Sequence, residues 1–444
     1  MKKLLKRIIP GSFYRILSRV YRAWLYHNEV SRLTRMQKQA AVAERDLKQR
    51  IINVPPKRIL IVPSDPRTLI GSLGDEAVLS TVVAMARLRN SSVEVDIIVD
   101  GKMAKATAVQ RGLHPVDIWA RFDYPAAVVQ CLNAQDYDVV VAVGADSVDG
   151  GCVPYLSGRI VKAADLAARS GVPATILGFS VSKRMSPAVA ELFDGVDPRL
   201  QINVRDDISL VRFRSSSEAR AELVADSAFL CEPGEVDNDT KTWIEQNRAV
   251  GRSVIGMNLH PSLMIGSEDL ADTVANMNAI VASGLLQTAE RREVAWLLMP
   301  HDYRPGIGDG ICLRPIMDQI APALDERAHY LGGVRQANEL KAVAGLLDGV
   351  VTGRMHLAIG ALGMGTPTMS LTYFDKFEGL YRHFGLPEWL LLPPSVFHQD
   401  QAFYQRLNRF IDELAQLRAI VKQKLPDVLR KSQRNFAIFS GGKG

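Results

Sequence analysis

The feature that most limits what this chain can fold into is an alternation. Short apolar, β-branched runs take turns with helix-type runs, and the layout occurs twice. In the first stretch Arg58–Val62, Val93–Val99, Val139–Val143, Ala174–Leu177, Ile202–Val204 and Leu223–Ala225 read as strands. Asp75–Arg89 reads as a helix with Ala77, Val78, Val82 and Met85 on one side, and Lys162–Ser170 as another. Apolar strands separated by helices predict a mostly parallel sheet covered on both faces. Pro233-Gly234 and the polar run Glu235–Thr240 read as a linker. Beyond it Ser253–Leu259, Val294–Met299, Val350-Val351 and Thr368–Thr372 read as strands, and Leu270–Leu286 and Ala337–Leu347 as helices. The expected fold class is therefore α/β: two Rossmann-like, doubly wound domains, 55–235 and 245–395, facing a cleft. Pro55-Pro56 opens the first and Pro393-Pro394 closes the second. Gln401–Lys424 reads as one long helix, so 400–444 is expected to pack back across the junction. A length of 444 residues suits two such domains.

Charge is unevenly placed along the chain. Residues 1–50 hold 13 Lys/Arg and 3 Asp/Glu, out of 54 and 48 in the whole chain. The remainder is mildly acidic, which argues against nucleic acid as a partner of the folded body. Phe13, Ile16, Leu17, Val20 and Trp24 lie at helical spacing with Arg15, Arg19 and Arg22 between them. Residues 1–54 thus read as a basic amphipathic helical arm. Either it meets an anionic membrane surface or it docks on its own body or a partner. Leu33–Arg50 reads as a polar, helix-compatible connector. No run of about 18 apolar residues indicates a membrane span, and Lys6, Arg7 and Pro10-Gly11 interrupt any signal-peptide core. The expected location is cytoplasmic, peripheral at the inner membrane face if the arm binds lipid. Cys131, Cys152, Cys231 and Cys312 are too scattered for a zinc site and read as small hydrophobes in a reducing compartment.

Five strand-end segments carry polar groups suited to chemistry. Gly71-Ser72-Leu73-Gly74-Asp75-Glu76 opens a helix, where free N–H groups attract phosphate or carboxylate; plain capping by Asp75 and Glu76 explains it equally well. Gly144-Ala145-Asp146 ends a strand, as a ligand approach or an ordinary tight turn. Arg205 ends another, as an anion clamp or a surface pair with Asp206 or Asp226. His301, after Met299-Pro300, either lines the cleft or turns the chain. Thr352-Gly353-Arg354-Met355-His356 is the richest. At a strand–loop–helix corner Arg354 and His356 can converge, an anion clamp beside a group that exchanges protons near neutrality. The competing reading is a helix cap with a backbone-bonded His.

Taken in order, these segments resemble the polysaccharide pyruvyl transferase family. The likeness runs from Gly74-Asp75-Glu76 through Gly144-Ala145-Asp146, Gly178-Phe179-Ser180, Arg205-Asp206 with Ser209, and Asp226–Phe229. It continues through Pro300-His301-Asp302, Gly353–His356, Gly365-Thr366-Pro367, and Tyr373 with Lys376. One departure is the first loop, where the family often has Asn before Gly-Asp and this chain reads Gly71-Ser72-Leu73-Gly74-Asp75, in which Ser72 can still donate and accept a hydrogen bond. The resemblance implies two Rossmann-like domains arranged as in GT-B glycosyltransferases. It implies a transferase that moves pyruvate from phosphoenolpyruvate onto a sugar as a ketal in exopolysaccharide biosynthesis. Arg205, Arg354 and His356 would bind phosphoenolpyruvate, with Arg354 and His356 catalytic. Gly74, Asp75, Asp146, His301, Tyr373 and Lys376 would face the cleft or the acceptor, a sugar or lipid-linked oligosaccharide. Phosphoenolpyruvate is then a co-substrate, and no cofactor or metal is required. Two other functions fit the same fold: a glycosyltransferase using a nucleotide sugar, for which Glu378 is a ribose-binding candidate, and a non-catalytic scaffold.

Overall fold

The computed structural model describes residues 11–440 apart from 51, 53, 147, 152, 268, 373–375 and 400; for 11–20, 22 and 23 it describes the backbone alone. Two parallel sheets organise the chain. The first has the strands β1 (Arg58–Val62), β2 (Glu94–Ile98), β3 (His114–Val116), β4 (Val139–Ala142), β5 (Ala174–Phe179), β6 (Gln201–Val204) and β7 (Ala221–Leu223), in the spatial order 3-2-1-4-5-6-7. The second has β8 (Ser253–Asn258), β9 (Val294–Leu298), β10 (Ala328–Tyr330), β11 (Gly349–Thr352), β12 (Thr368–Leu371) and β13 (Leu391–Leu392), in the order 10-9-8-11-12-13. The central strands are buried on both faces. Ile59–Val62 of β1, all of β4 and all of β9 are inaccessible, as helices on either side require.

The edge strands were not legible. β3, β10 and β13 are two or three residues long, and β3 reads His-Pro-Val, with no apolar run. β7 is Ala221–Leu223 rather than Leu223–Ala225, because the chain leaves the ladder to form the 3-10 turn Ser227–Leu230.

The N-terminal segment corrects the connector reading. A single helix spans Gly11–Ala43, and Leu33, Met36, Ala40 and Ala43 on its second half are buried. They pack on the helices Tyr124–Ala134 and Pro154–Arg169 of the first lobe. Gly158 makes this possible: a Cβ there would stand 2.2 Å from Leu33 Cδ1. The expected contacts of Phe13, Ile16, Leu17 and Val20 fall on side chains outside the described set, whereas Trp24 is 59% exposed.

The long C-terminal helix is two helices. Ala402–Asp412 packs on Leu270–Arg291, the chain bends at Glu413, and Leu414–Gln433 runs to the first lobe. The buried residues Leu407, Phe410, Leu414, Leu417 and Val421 keep helical spacing straight through the bend, which is why the sequence reads as uninterrupted. In the first lobe the Asn435 side chain accepts from Gly178 N–H and donates to the Ala225 carbonyl, both at 2.8 Å. The Ser432 hydroxyl donates to the Asp226 carbonyl at 2.7 Å.

Candidate active site

The carboxyl ends of both sheets face one another, and a cavity of about 230 Å³ lies between them. Ser72, Gly74, Asp75, Ala145 and Asp146 line it from the first lobe; His301, Arg354, Met355, His356 and Lys376 line it from the second. A larger cavity of about 590 Å³, between Leu270–Arg291 and Ala402–Asp412, has no comparable gathering of charges. Tyr373 lies outside the described residues, and Glu378 does not line the cavity between the sheets.

The first-lobe wall is set by two turns. The helix Leu73–Arg89 is capped by Ser72, whose Oγ accepts from Asp75 N–H and donates to Asp75 Oδ2 at 2.8 Å. Ser64, after β1, donates to the other Asp75 oxygen at 2.7 Å, so the carboxylate is fixed from two sides. The cap is thus Ser72 rather than Asp75 or Glu76: the Asp75 carboxylate is held by two serine hydroxyls and lines the cavity, while Glu76 pairs with Arg111 and accepts from Ala337 N–H. After β4, Gly144 has no room for a side chain, since a Cβ would meet Leu177 O at 2.4 Å. Ala145 takes φ +47°, a left-handed conformation unusual for a residue with a Cβ. That strain is localised at the turn that presents Asp146.

Asp146 connects the lobes. It pairs with Arg205 of its own lobe and with Lys376 of the other at 2.7 Å. Burial would raise its carboxyl, but Lys376 and Arg205 outweigh that and hold it well below the usual carboxylate range. Arg205 stands behind the cavity, not in its wall. It is 2% exposed, and it donates to Ser180 Oγ at 2.7 Å, to Asp226 Oδ2 at 3.0 Å and to Asp146. A further contact reaches Met355 Sδ of the second lobe at 3.3 Å. The pairing with Asp226 is thus real but buried, and Arg205's charge is already matched by two carboxylates.

The second-lobe wall is the β11 corner. Gly353 is required by His260, whose ring would meet a Cβ at 2.9 Å and whose Nε2 lies 3.0 Å from the Gly353 carbonyl. Burial, helped by Arg354, lowers the His260 pKa to about 3. Arg354 is gripped along one edge by Asp309, with Nε to Oδ1 at 3.0 Å, and by Asp302 at 3.2 Å. Its Nη1 has no partner among the described residues, leaving one donor group for a ligand. Asp309 also accepts from Asn258 and from His301 N–H. Burial raises its carboxyl above the ordinary value despite Arg354.

His356 stands where both walls meet. Its Nε2 is buried, without a hydrogen-bond partner, and 3.9 Å from Asp226 Oδ2. Burial and Arg205 lower its pKa, while Asp226 and Asp146 oppose that. The resting imidazole is accordingly neutral at pH 7. Gly74 is explained by the same ring, because a Cβ there would fall 2.2 Å from His356 Nδ1. His301 is buried and lines the cavity, and burial with Arg354 holds its pKa well below the usual value. Among the described residues no group of three His, Cys, Asp or Glu side chains is placed to hold a metal.

Sequence reasoning missed Asp226, Asp302 and Asp309 as site residues. Asp226 is read there only as a surface partner of Arg205, and Asp302 stands inside a quoted motif with no role. Asp309, in Gly308-Asp309-Gly310, offered no signal beyond a turn. Its partner Arg354 is 45 residues away.

Solved structures share this architecture. An epimerase from Neisseria meningitidis, UDP-GlcNAc 2-epimerase bound to UDP-GlcNAc, is 10% identical with a TM-score of 0.55, covering 87% of this chain and 100% of its own. The Anabaena protein HepE in complex with UDP-glucose is 14% identical with a TM-score of 0.53, covering 87% and 100%. A glycosyltransferase from Rickettsia africae is 10% identical with a TM-score of 0.52, covering 86% and 98%. At such identities the likeness shows the fold, two Rossmann-like units in the GT-B arrangement. No curated protein matches the chain in sequence. A family profile, polysaccharide pyruvyl transferase, matches residues 8–375, most of the chain and both walls of the cavity up to the helix corner after β12. The chain belongs to the polysaccharide pyruvyl transferase family.

Proposed function

We propose that this transferase takes pyruvate from phosphoenolpyruvate and joins it as a ketal to two hydroxyls of a sugar, in the assembly of an exopolysaccharide. The observation that carries the donor is the unpartnered edge of Arg354 beside the unpartnered His356 in a cavity of about 230 Å³. That volume is below the roughly 300–1,000 Å³ of sites for drug-sized ligands. It suits a three-carbon phosphate better than a nucleotide sugar. Arg354 meets the donor's carboxylate or phosphate, and Lys376 exchanges Asp146 for the donor's other anionic group. Arg205 acts as a positioning residue, holding Asp146 and Asp226.

In the reaction two hydroxyl oxygens bond to C2 of the donor and the C2–O bond to phosphate breaks. One hydroxyl proton ends on the methylene carbon, which becomes methyl, and the other leaves with phosphate. His356 is neutral at rest, and an arriving phosphate favours its protonated form. It then serves as the general acid that supplies the proton the donor takes up.

Saturable calorimetric binding of phosphoenolpyruvate at low salt, abolished by Arg354→Ala and resistant to nucleotide sugars, is the expected result. Binding of a nucleotide sugar with none of phosphoenolpyruvate refutes the donor. For the acceptor we favour a carrier-linked sugar at the inner face of a membrane. Tyr21, Trp24, Leu25 and Tyr26 are exposed on the basic N-terminal helix, a composition that suits an anionic interface. Among the described residues no helix is long and apolar enough to cross a membrane. Vesicles containing anionic lipid should sediment the full chain but not a version lacking residues 1–24; equal sedimentation rejects the attachment.

A further inference from the structure

The first lobe holds a second cavity, of about 580 Å³, next to the catalytic one. Ser64 lines it, and its hydroxyl donates to Asp75, which lines the catalytic cavity. The walls come from the loops after β1, β2 and β3, from the start of the helix Pro154–Arg169, and from the N-terminal helix. Carboxyl ends of parallel strands are where ligands of open sheets bind.

Of its three arginines two are paired with carboxylates and the third is not; among its carboxylates Asp65 meets only neutral donors, and Glu29 keeps one buried oxygen without a partner. Arg32 pairs with Glu29 at 2.8 Å, and Arg67 with Asp100 at 3.1 Å. Asp65 accepts from the Thr68 hydroxyl and from the N–H groups of Arg67 and Thr68. Arg159 is 6% exposed and has no carboxylate within ion-pair distance among the described residues. Its donors go to neutral oxygens: the carbonyls of Trp119 and Arg121, and Tyr155 Oη at 2.7 Å. The rings of Trp119, Tyr124 and Tyr155 surround the guanidinium at 5.3, 4.7 and 4.7 Å, and Nε has no partner. A guanidinium stays charged when buried. Neutral oxygens and ring faces replace only part of its lost hydration.

We propose that this cavity is an anion subsite for the acceptor, taking a phosphate or carboxylate group carried by the saccharide whose hydroxyls enter the catalytic cavity. Assigning it to the acceptor rests on the transfer proposed above; the anion site itself does not. The N-terminal helix is then part of the binding site through Arg32, which Glu29 holds in place.

Calorimetry with glucose 1-phosphate, glucuronate and glucose tests it, on the full chain and on Arg159→Gln. Val153→Trp serves as a second variant, at a half-exposed position on the cavity wall away from the buried guanidinium. One or both charged sugars should bind and glucose should not, and the preferred one identifies phosphate or carboxylate. Arg159→Gln should weaken that binding about tenfold or more, and Val153→Trp should block it, with phosphoenolpyruvate binding unchanged in both. Charged sugars that bind Arg159→Gln as well as wild type, or that fail to bind wild type, overturn the proposal. Arg159-dependent binding in a protein that ignores phosphoenolpyruvate keeps the anion site and removes the transfer reading.

Discussion

Replacing Gly74 by alanine puts a methyl carbon 2.2 Å from His356 Nδ1 and 2.7 Å from Cγ and Cε1 of the same ring. Ordinary contact begins near 3.4 Å, so the ring or the start of the helix Leu73–Arg89 must retreat by about 1.2 Å. The ring cannot move freely, because Asp226 Oδ2 stands 3.9 Å from its Nε2. Overpacking of this kind costs about 1–3 kcal/mol. A displacement of about 1 Å at a reacting group lowers turnover about a hundredfold. Thermal melts of four proteins separate this cause from any other: wild type, Gly74→Ala, His356→Ala and the double variant. We expect Gly74→Ala to lower the melting temperature in the wild-type background and to cost little once His356 is alanine, a coupling that the double-mutant cycle reads directly. An equal cost in both backgrounds would refute the claim that His356 is what forbids a side chain at position 74. No cost in either would refute the packing itself.

Three further outcomes follow from the same geometry. Asp226→Asn removes the carboxylate that holds the His356 pKa up, so the imidazole should titrate at lower pH in an NMR titration assigned with His356→Gln; an unchanged or higher pKa contradicts the 3.9 Å contact as an electrostatic one. Asp146→Asn removes one ion pair of Lys376 and a negative charge from the cavity, and we expect phosphoenolpyruvate to bind about five- to tenfold more tightly by calorimetry, about 1 kcal/mol or slightly more; weaker binding shows instead that Asp146 holds Lys376 in its productive place. Asn435→Ala leaves Gly178 N–H and the Ala225 carbonyl buried without partners, and melts should show a loss of about 2–3 kcal/mol; no loss means those groups find other partners.

The centre of each sheet is readable because it is buried on both faces, so β1, β4 and β9 are runs of apolar residues. The edges β3, β10 and β13 are short and lack that pressure. The docking of the N-terminal helix was present as the spacing of Leu33, Met36, Ala40 and Ala43, but the surrounding charge drew attention to its exposed half. At the site, strand-end residues could be found because topology brings strand ends together: Asp75, Asp146, His301, Arg354, His356 and Lys376 all line one cavity. Whether a charge faces the ligand or the core is another matter. Arg205 reads as a clamp or as a surface pair with Asp206 or Asp226; the structure pairs it with Asp226, 21 residues after it, but in the core, and adds Asp146, 59 residues before it. The partner at Asp146 is too distant along the chain for the local sequence to mark it.

The bonds made by Asn435 bear on how the chain is put together. A ribosome delivers Gly178 and Ala225 long before the residue that satisfies them, which lies 257 and 210 positions further on. The first lobe therefore emerges with buried-to-be polar groups open to water and with the groove for Leu414–Gln433 empty, while the whole second lobe is still being made. The first lobe is thus completed only when the last helix arrives. Anyone wishing to express that lobe alone would do better to splice 414–440 onto it than to cut the chain at the linker.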